Sequence, residues 1–170
     1  MGRKLRFRGE FRLKVDAKGR MSIPSRFRGV LGAGDPDWDP ASKENANPQF
    51  VMVYGNHKVP YLECFTVAEM ERIENRIDAM PAGERKRKLQ KVYSSGSVDA
   101  SLDDTGRIVI PAKLRKRYGI ESEAYAVASL NTFQIWAAER YVPTDAVDED
   151  MLSEDLPEDP MEWLNDAEAL

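Results

Sequence analysis

A chain of 170 residues, 42% apolar and 32% charged, has room for one ordinary domain or two small ones sharing a core. A lone cysteine, Cys64, excludes an internal disulfide framework, and a lone histidine, His57, leaves nothing but carboxylates for a metal site without any calcium-loop spacing, so no metal or cofactor is expected. No apolar run approaches the ~18 residues that cross a bilayer, no apolar segment follows the basic N-terminus, and neither G-x-x-x-x-G-K-[ST] nor G-x-S-x-G occurs, so the expectation is a cytoplasmic protein with no membrane partner and no small-molecule substrate.

The net charge of −4 conceals an asymmetry: residues 142–170 hold eleven Asp or Glu and no Lys or Arg, leaving 25 basic against 18 acidic groups in residues 1–141. Residues 1–28 alone carry ten Lys or Arg, Arg8 among them, against Glu10 and Asp16. A basic body with an acidic tail has the electrostatic footprint of a polyanion binder, a solvated charged surface being the plainer alternative.

In chain order, FRLKV (Phe11 to Val15) alternates apolar and polar as a strand does, with Phe11, Leu13 and Val15 on one face. DAKG suits a tight turn, Asp16 accepting backbone N–H groups and Gly19 supplying a positive φ. Arg20 to Ile23 returns as a second strand, and Pro24 ends it and opens a short basic helix expected to stop at Gly32. AGDPDWDPASKENANPQ reads as a surface loop over residues 33–49, followed by strands at Gln49 to Gly55 and Tyr61 to Phe65. Thr66-Val67-Ala68-Glu69 is a capping box for a helix with Val67, Met70, Ile73 and Ile77 in its apolar stripe. Pro81-Ala82-Gly83 breaks it, and ERKRKLQKVY restarts as a helix ending near Ser94-Ser95-Gly96.

From there the pattern repeats. VDAKGRMSIPSRFR (Val15 to Arg28) returns 87 positions later as LDDTGRIVIPAKLR (Leu102 to Arg115), with Val98, Ala100 and Leu102 in the strand, Asp103 and Gly106 in the turn, Arg107 to Ile110 returning, and a helix closed by Gly119. The strands Glu123 to Ser129 and Thr132 to Trp136 follow, matching those of the first copy. Four short strands cannot bury both faces alone, so the two copies are expected to interleave into a pseudo-two-fold, swapped-hairpin β-barrel, mainly β with short helices. The units are then half-domain 1 at 7–65, a helical linker at 66–93, half-domain 2 at 94–141, and an acidic tail at 142–170, read as disordered from its prolines and lack of periodicity, with Met161, Trp163 and Leu164 as a weak docking spot or plain tail residues.

Asp104-Thr105-Gly106 spells the motif of aspartic proteases, but Ala17-Lys18-Gly19 stands at the matching place, so no partner carboxylate exists and no catalytic group is expected. Asp16 and Asp103 each precede an Arg by four residues, which predicts ion pairing and depressed acidity. Lys18, Arg20 and Arg107, with Arg8 in the basic flank, are the candidate DNA contacts; Asp16, Gly19, Asp103 and Gly106 are the structural turn residues. Arg20 and Arg107 have the plainer alternative of closing the turn on Asp16 and Asp103.

FRGE, the two D-x-x-x-R segments with their Ile-Pro, and the helical linker between them closely resemble the MraZ family over about residues 7–141. That resemblance implies two tandem SpoVT-AbrB-type half-domains related to the AbrB and MazE folds. It further implies a nucleoid-associated, DNA-binding transcriptional regulator assembled as a homo-oligomeric ring on direct repeats upstream of a division and cell-wall gene cluster. The family's D-x-x-x-R contacts fall here on Asp16, Lys18, Arg20, Asp103 and Arg107. An antitoxin-like protein-interaction module is the alternative reading, and the loop at 33–49 and the acidic tail depart from the usual family pattern.

Overall fold

Each half of the repeat completes its sheet with strands from the other half. A computed structural model describes residues 6–146 and 156–168. The first copy of the repeat supplies β1 (Glu10–Lys14), β2 (Arg20–Ser22), α1 (Ser25–Ala33), β3 (Gln49–Val53) and β4 (Leu62–Thr66). The linker forms α2 (Val67–Asp78), α3 (Glu84–Gln90) and one π-helical turn, Lys91–Ser95. The second copy supplies β5 (Ser97–Ser101), β6 (Arg107–Val109), α4 (Ala112–Tyr118), β7 (Glu123–Ser129) and β8 (Thr132–Ala137).

Six strands form one antiparallel sheet in the order β1-β7-β8-β4-β3-β5, and β2 and β6 form a separate two-stranded ribbon. The order reads the same from either edge once the halves are exchanged. Lys14 opposite Glu123 corresponds to Ser101 opposite Gln49, and the β4–β8 ladder lies at the centre. In the ribbon, Met21 faces Ile108 on the pseudo-axis. Both are buried in a core shared by the halves, with Phe27, Phe50, Leu62, Ile110, Phe133 and Ile135. Burial of apolar side chains contributed from both copies is the main force holding them together.

The mixed, mainly antiparallel architecture follows the pattern read from sequence, with four corrections. The barrel does not close: Pro24 and Pro111 limit β2 and β6 to three residues, and β2 is tied back toward β1 by one isolated bridge, Val15–Met21, and by the bonds of the turn between Asp16 and Arg20. The turn therefore does not begin a full hairpin; β2 leaves β1 and pairs with β6. Helix α1 runs past Gly32 to Ala33 with Gly34 at its C-cap, because Trp38 packs so closely on Gly32 that a Cβ there would lie 2.8 Å from the indole. Gly119 does cap α4, at φ 71°.

The fourth correction concerns the tail expected to be disordered. Residues 147–155 and 169–170 lie outside the described residues, but Met161–Glu168 forms a helix, α5, started by Asp159, whose carboxylate accepts the Met161 N–H at 3.0 Å. The tail's start is also placed: the Tyr141 hydroxyl and the Thr144 N–H (2.6 Å) and hydroxyl (2.9 Å) donate to Glu10 on β1. Burial and the bond to Glu10 push the Tyr141 phenol up to about 12. In the linker, Thr66 accepts from the Glu69 N–H at 3.1 Å, and Met70 and Ile77 are buried as the stripe requires. The 33–49 loop is pinned by buried Asp35, whose carboxylate accepts the Gln49 N–H at 2.8 Å. Among the described residues, no helix is long and apolar enough to cross a membrane and no three His, Cys, Asp or Glu side chains cluster as metal ligands.

Candidate nucleic-acid interface

The two D-x-x-x-R segments fold into near-identical turns. Asp16 Oδ1 accepts the backbone N–H groups of Lys18 and Arg20, both at 2.9 Å, and Oδ2 accepts Arg20 Nε–H at 2.6 Å. Asp103 repeats this with Thr105 N–H and Arg107 N–H at 2.9 Å and Arg107 Nε–H at 2.8 Å, and adds the Thr105 hydroxyl at 2.9 Å. Hydrogen bonds to the charged form, the Arg20 N–H foremost, hold the Asp16 carboxyl below its ordinary range despite partial desolvation. With the Arg107 N–H foremost and the Thr105 hydroxyl added, Asp103 falls to about 2. Carboxylates so committed neither take up nor release protons near neutrality, which argues against general acid–base work at these turns.

The turns are closed by glycine and covered by the opposite half. Gly19 sits at φ 82° and Gly106 at φ 77°. A Cβ at Gly19 would lie 2.5 Å from the Ile110 carbonyl oxygen and 2.7 Å from Arg115 Nε, and one at Gly106 would lie 2.5 Å from an Arg28 guanidinium nitrogen. Arg28 and Arg115 close their own repeat segments, yet each lies over the other copy's turn. The Gly19 carbonyl accepts the Ile110 N–H at 2.8 Å and the Gly106 carbonyl accepts the Ile23 N–H at 3.0 Å, so the turns are fixed to one another.

Between them runs the ribbon. With Met21 and Ile108 turned into the core, Arg20, Ser22, Arg107 and Val109 occupy its outer face. A shallow groove of about 470 Å³ is lined by Lys14, Asp16, Arg20, Ser22, Arg107 and Glu123, among others, which brings Arg20 and Arg107 to one surface. Each guanidinium spends Nε on its own aspartate, and no bond from its terminal nitrogens is found among the described residues. Turn closure and ligand contact are therefore served by different atoms of one side chain, Arg carrying five N–H donors. Lys18 is exposed at the tip of the first turn. Thr105 stands in its place in the second turn, and Asp104 beside it accepts from Asn47 of the 33–49 loop at 2.9 Å.

The structure does not bring Arg8 to this cluster. It is exposed where the chain enters β1, between Phe7, whose N–H donates to the Leu130 carbonyl, and Gly9, whose carbonyl accepts the Ala128 N–H. Eight residues of extended chain separate it from Asp16, roughly 26 Å at ~3.3 Å per residue.

Residues 94–157 match the family profile described as "MraZ protein, putative antitoxin-like". A protein of Ruegeria sp. (strain TM1040) named "Transcriptional regulator MraZ" is 44% identical over 170 residues, covering 98% of both chains. The chain belongs to the MraZ family. Proteins of the same name from Ruegeria pomeroyi, 44% identical over 95% of this chain and 96% of the relative, and Pseudomonas putida, 32% identical over 84% and 87%, extend the likeness. The Ruegeria sp. relative, covering 98% of this chain, spans both D-x-x-x-R segments, whereas the profile match begins only at Ser94, so MraZ-family membership rests on both halves.

Four contributors to the surface escape a motif-centred reading of an MraZ-family sequence. Ser22 and Val109 are exposed on the ribbon, Val109 at 54%, and alternation about buried Met21 and Ile108 was the available signal. Lys14 reaches the groove from β1, as its outward place in the FRLKV alternation indicates. Asn47 carries no sequence signal, because only the fold brings its loop to Asp104.

Proposed function

We propose that this chain is a sequence-specific, DNA-binding transcriptional regulator that places the β2–β6 ribbon and its two flanking turns against the double helix. The carrying observation is the convergence of Arg20 and Arg107 on one outward face, each with terminal guanidinium donors to spend. A two-stranded ribbon fits the major groove, and Arg pairs bidentately with guanine or phosphate. The excess of basic groups in residues 1–141 adds counterion release, and relatives over nearly the full length are named transcriptional regulators. Lys18 and Arg20 form the stronger tip, since Asp104 and Thr105 leave the second without a lysine.

The finer reading follows from the family. The chain assembles as a homo-oligomeric ring on the nucleoid and reads direct repeats upstream of a division and cell-wall gene cluster. A ring supports it physically, because weak tips on spaced repeats gain avidity through effective concentration. A footprint of purified protein on DNA upstream of its own gene tests both levels, evenly spaced protected boxes being the expected result. Arg20→Ala is expected to weaken binding by about tenfold or more with the fold intact, Lys18→Ala less so, and each to lower the salt dependence by about one phosphate contact. A folded Arg20→Ala protein with unchanged affinity and salt slope contradicts this reading. Retrieval of a stoichiometric small protein without DNA retention at moderate salt would favour the antitoxin-like module instead.

A further inference from the structure

The pseudo-two-fold relation makes each half a template for the other, and one place fails to match. In the first half, Phe7 is 2% exposed with its ring 5.2 Å from Phe27, and Phe11 lies 5.4 Å from the same ring. The residues 87 positions on are Ser94, Val98 and Leu114. The backbone frames agree: Ala128 N–H donates to the Gly9 carbonyl at 2.9 Å in one half, and Tyr54 N–H to the Gly96 carbonyl at 2.8 Å in the other. Where the first half stacks three aromatic rings, the second is left with a cavity of about 260 Å³, lined by Tyr54, Val98, Pro111, Lys113, Leu114 and Arg117. Val98 is exposed beside it on edge strand β5.

Helix α5 carries what that cavity lacks. At 100° per residue, Met161, Trp163, Leu164 and Ala167 fall in one arc, which Glu168 shares at its Met161 end, while Asp166 and Glu162 flank Trp163 at the other end and Asn165 lies farthest from it. Met161, Trp163 and Leu164 are 55%, 53% and 56% exposed, an apolar cluster left open among the described residues. The charges complement: α4 bears Lys113, Arg115, Lys116 and Arg117 with no acidic residue, and α5 bears Glu162, Asp166 and Glu168 with no basic one.

We propose that α5 docks on the second half of its own chain, Trp163 filling the cavity between Val98 and Leu114 while Glu162 and Asp166 face the cations of α4. The helix-in-groove mode needs an aromatic anchor in an apolar pocket and a complementary polar rim, and both are present. The chain from Ala146 to Met161 reaches about 50 Å when extended, at ~3.3 Å per residue. The β1 edge that holds Thr144 and the β5 edge lie five strand spacings apart, about 24 Å at ~4.8 Å each. Tethering at this range keeps the local helix concentration near the millimolar level, so a modest contact suffices.

Chymotryptic cleavage of the full-length native chain after Trp163 and Leu164 tests the docking. Val98→Phe rebuilds the first half's ring inside the cavity and should speed tail cleavage about tenfold while the body melts no lower. Trp163→Ser, which leaves the body untouched, should speed cleavage after Leu164 to the same degree and guards against misfolding of the first variant. Wild-type cleavage rates in both variants would overturn the proposal. Protection of the wild-type tail that disappears on dilution would also overturn it, by showing that a second copy supplies the helix.

Discussion

Asp103 and Asp16 occupy equivalent turns, and the Thr105 hydroxyl is the bond that separates them. Asp103 goes from 3.8 to about 2 on folding, so its contribution is complete above about pH 4 and is lost as pH falls through 2. A carboxyl-carbon NMR titration should show Asp103 ionised at pH 3, and Thr105→Ala should move its midpoint upward; titration near 3.8 in the intact protein contradicts the turn geometry described. The glycines are less forgiving. Gly19→Ala meets a positive φ and a carbonyl oxygen 2.5 Å from the new Cβ, so a loss of about 2–3 kcal/mol and a fall in Tm of roughly 5–10 °C are expected by thermal melt. The Asp, Gly and Arg of these turns were legible from the doubled motif alone, because a turn's chemistry is local. The crossing of Arg28 and Arg115 onto opposite turns was not, since nothing local to either residue says which turn it covers.

At the scale of elements, what sequence revealed depended on whether neighbours set the boundary. Helix α2 was readable throughout, because its cap and apolar stripe are internal to it. Thr66→Ala removes the bond to the Glu69 N–H and is expected to cost about 1 kcal/mol, measured as a shift in the denaturant midpoint with m unchanged. The end of α1 was misread by two residues because Trp38, from a loop of no regular pattern, fills the space beside Gly32. Helix α5 escaped notice because one amphipathic arc of eight residues, set among prolines and acids, gives too short a period to recognise. The clasp of Tyr141 and Thr144 on Glu10 was likewise invisible, depending on a strand that lies far away in sequence. Tyr141→Phe leaves Glu10 with Thr144 alone and should loosen the segment after β8, read as faster amide exchange at Thr144.

For the whole molecule, interleaving was foreseen because four short strands per copy cannot enclose a core, but barrel closure depends on the length of β2 and β6, which Pro24 and Pro111 cut to three residues. The resulting connectivity decides how the chain can be divided. β1 lies against β7, β4 against β8, and β5 against β3, so a cut between the repeats severs no strand yet separates every one of these pairs, along with β2 from β6. Among the described residues, the ladder kept within 1–93 is β3–β4 and that kept within 94–170 is β7–β8, while Met21, Ile108 and the other shared core side chains lose their partners. Hairpins of this size do not hold structure unaided in water. Neither fragment is therefore expected to melt cooperatively as a monomer, whereas co-expression should return a one-to-one complex with the β-rich circular dichroism of the intact chain. Fragment 94–170 melting cooperatively as a monomer would mean that the exchange of strands between halves is not what holds the fold together.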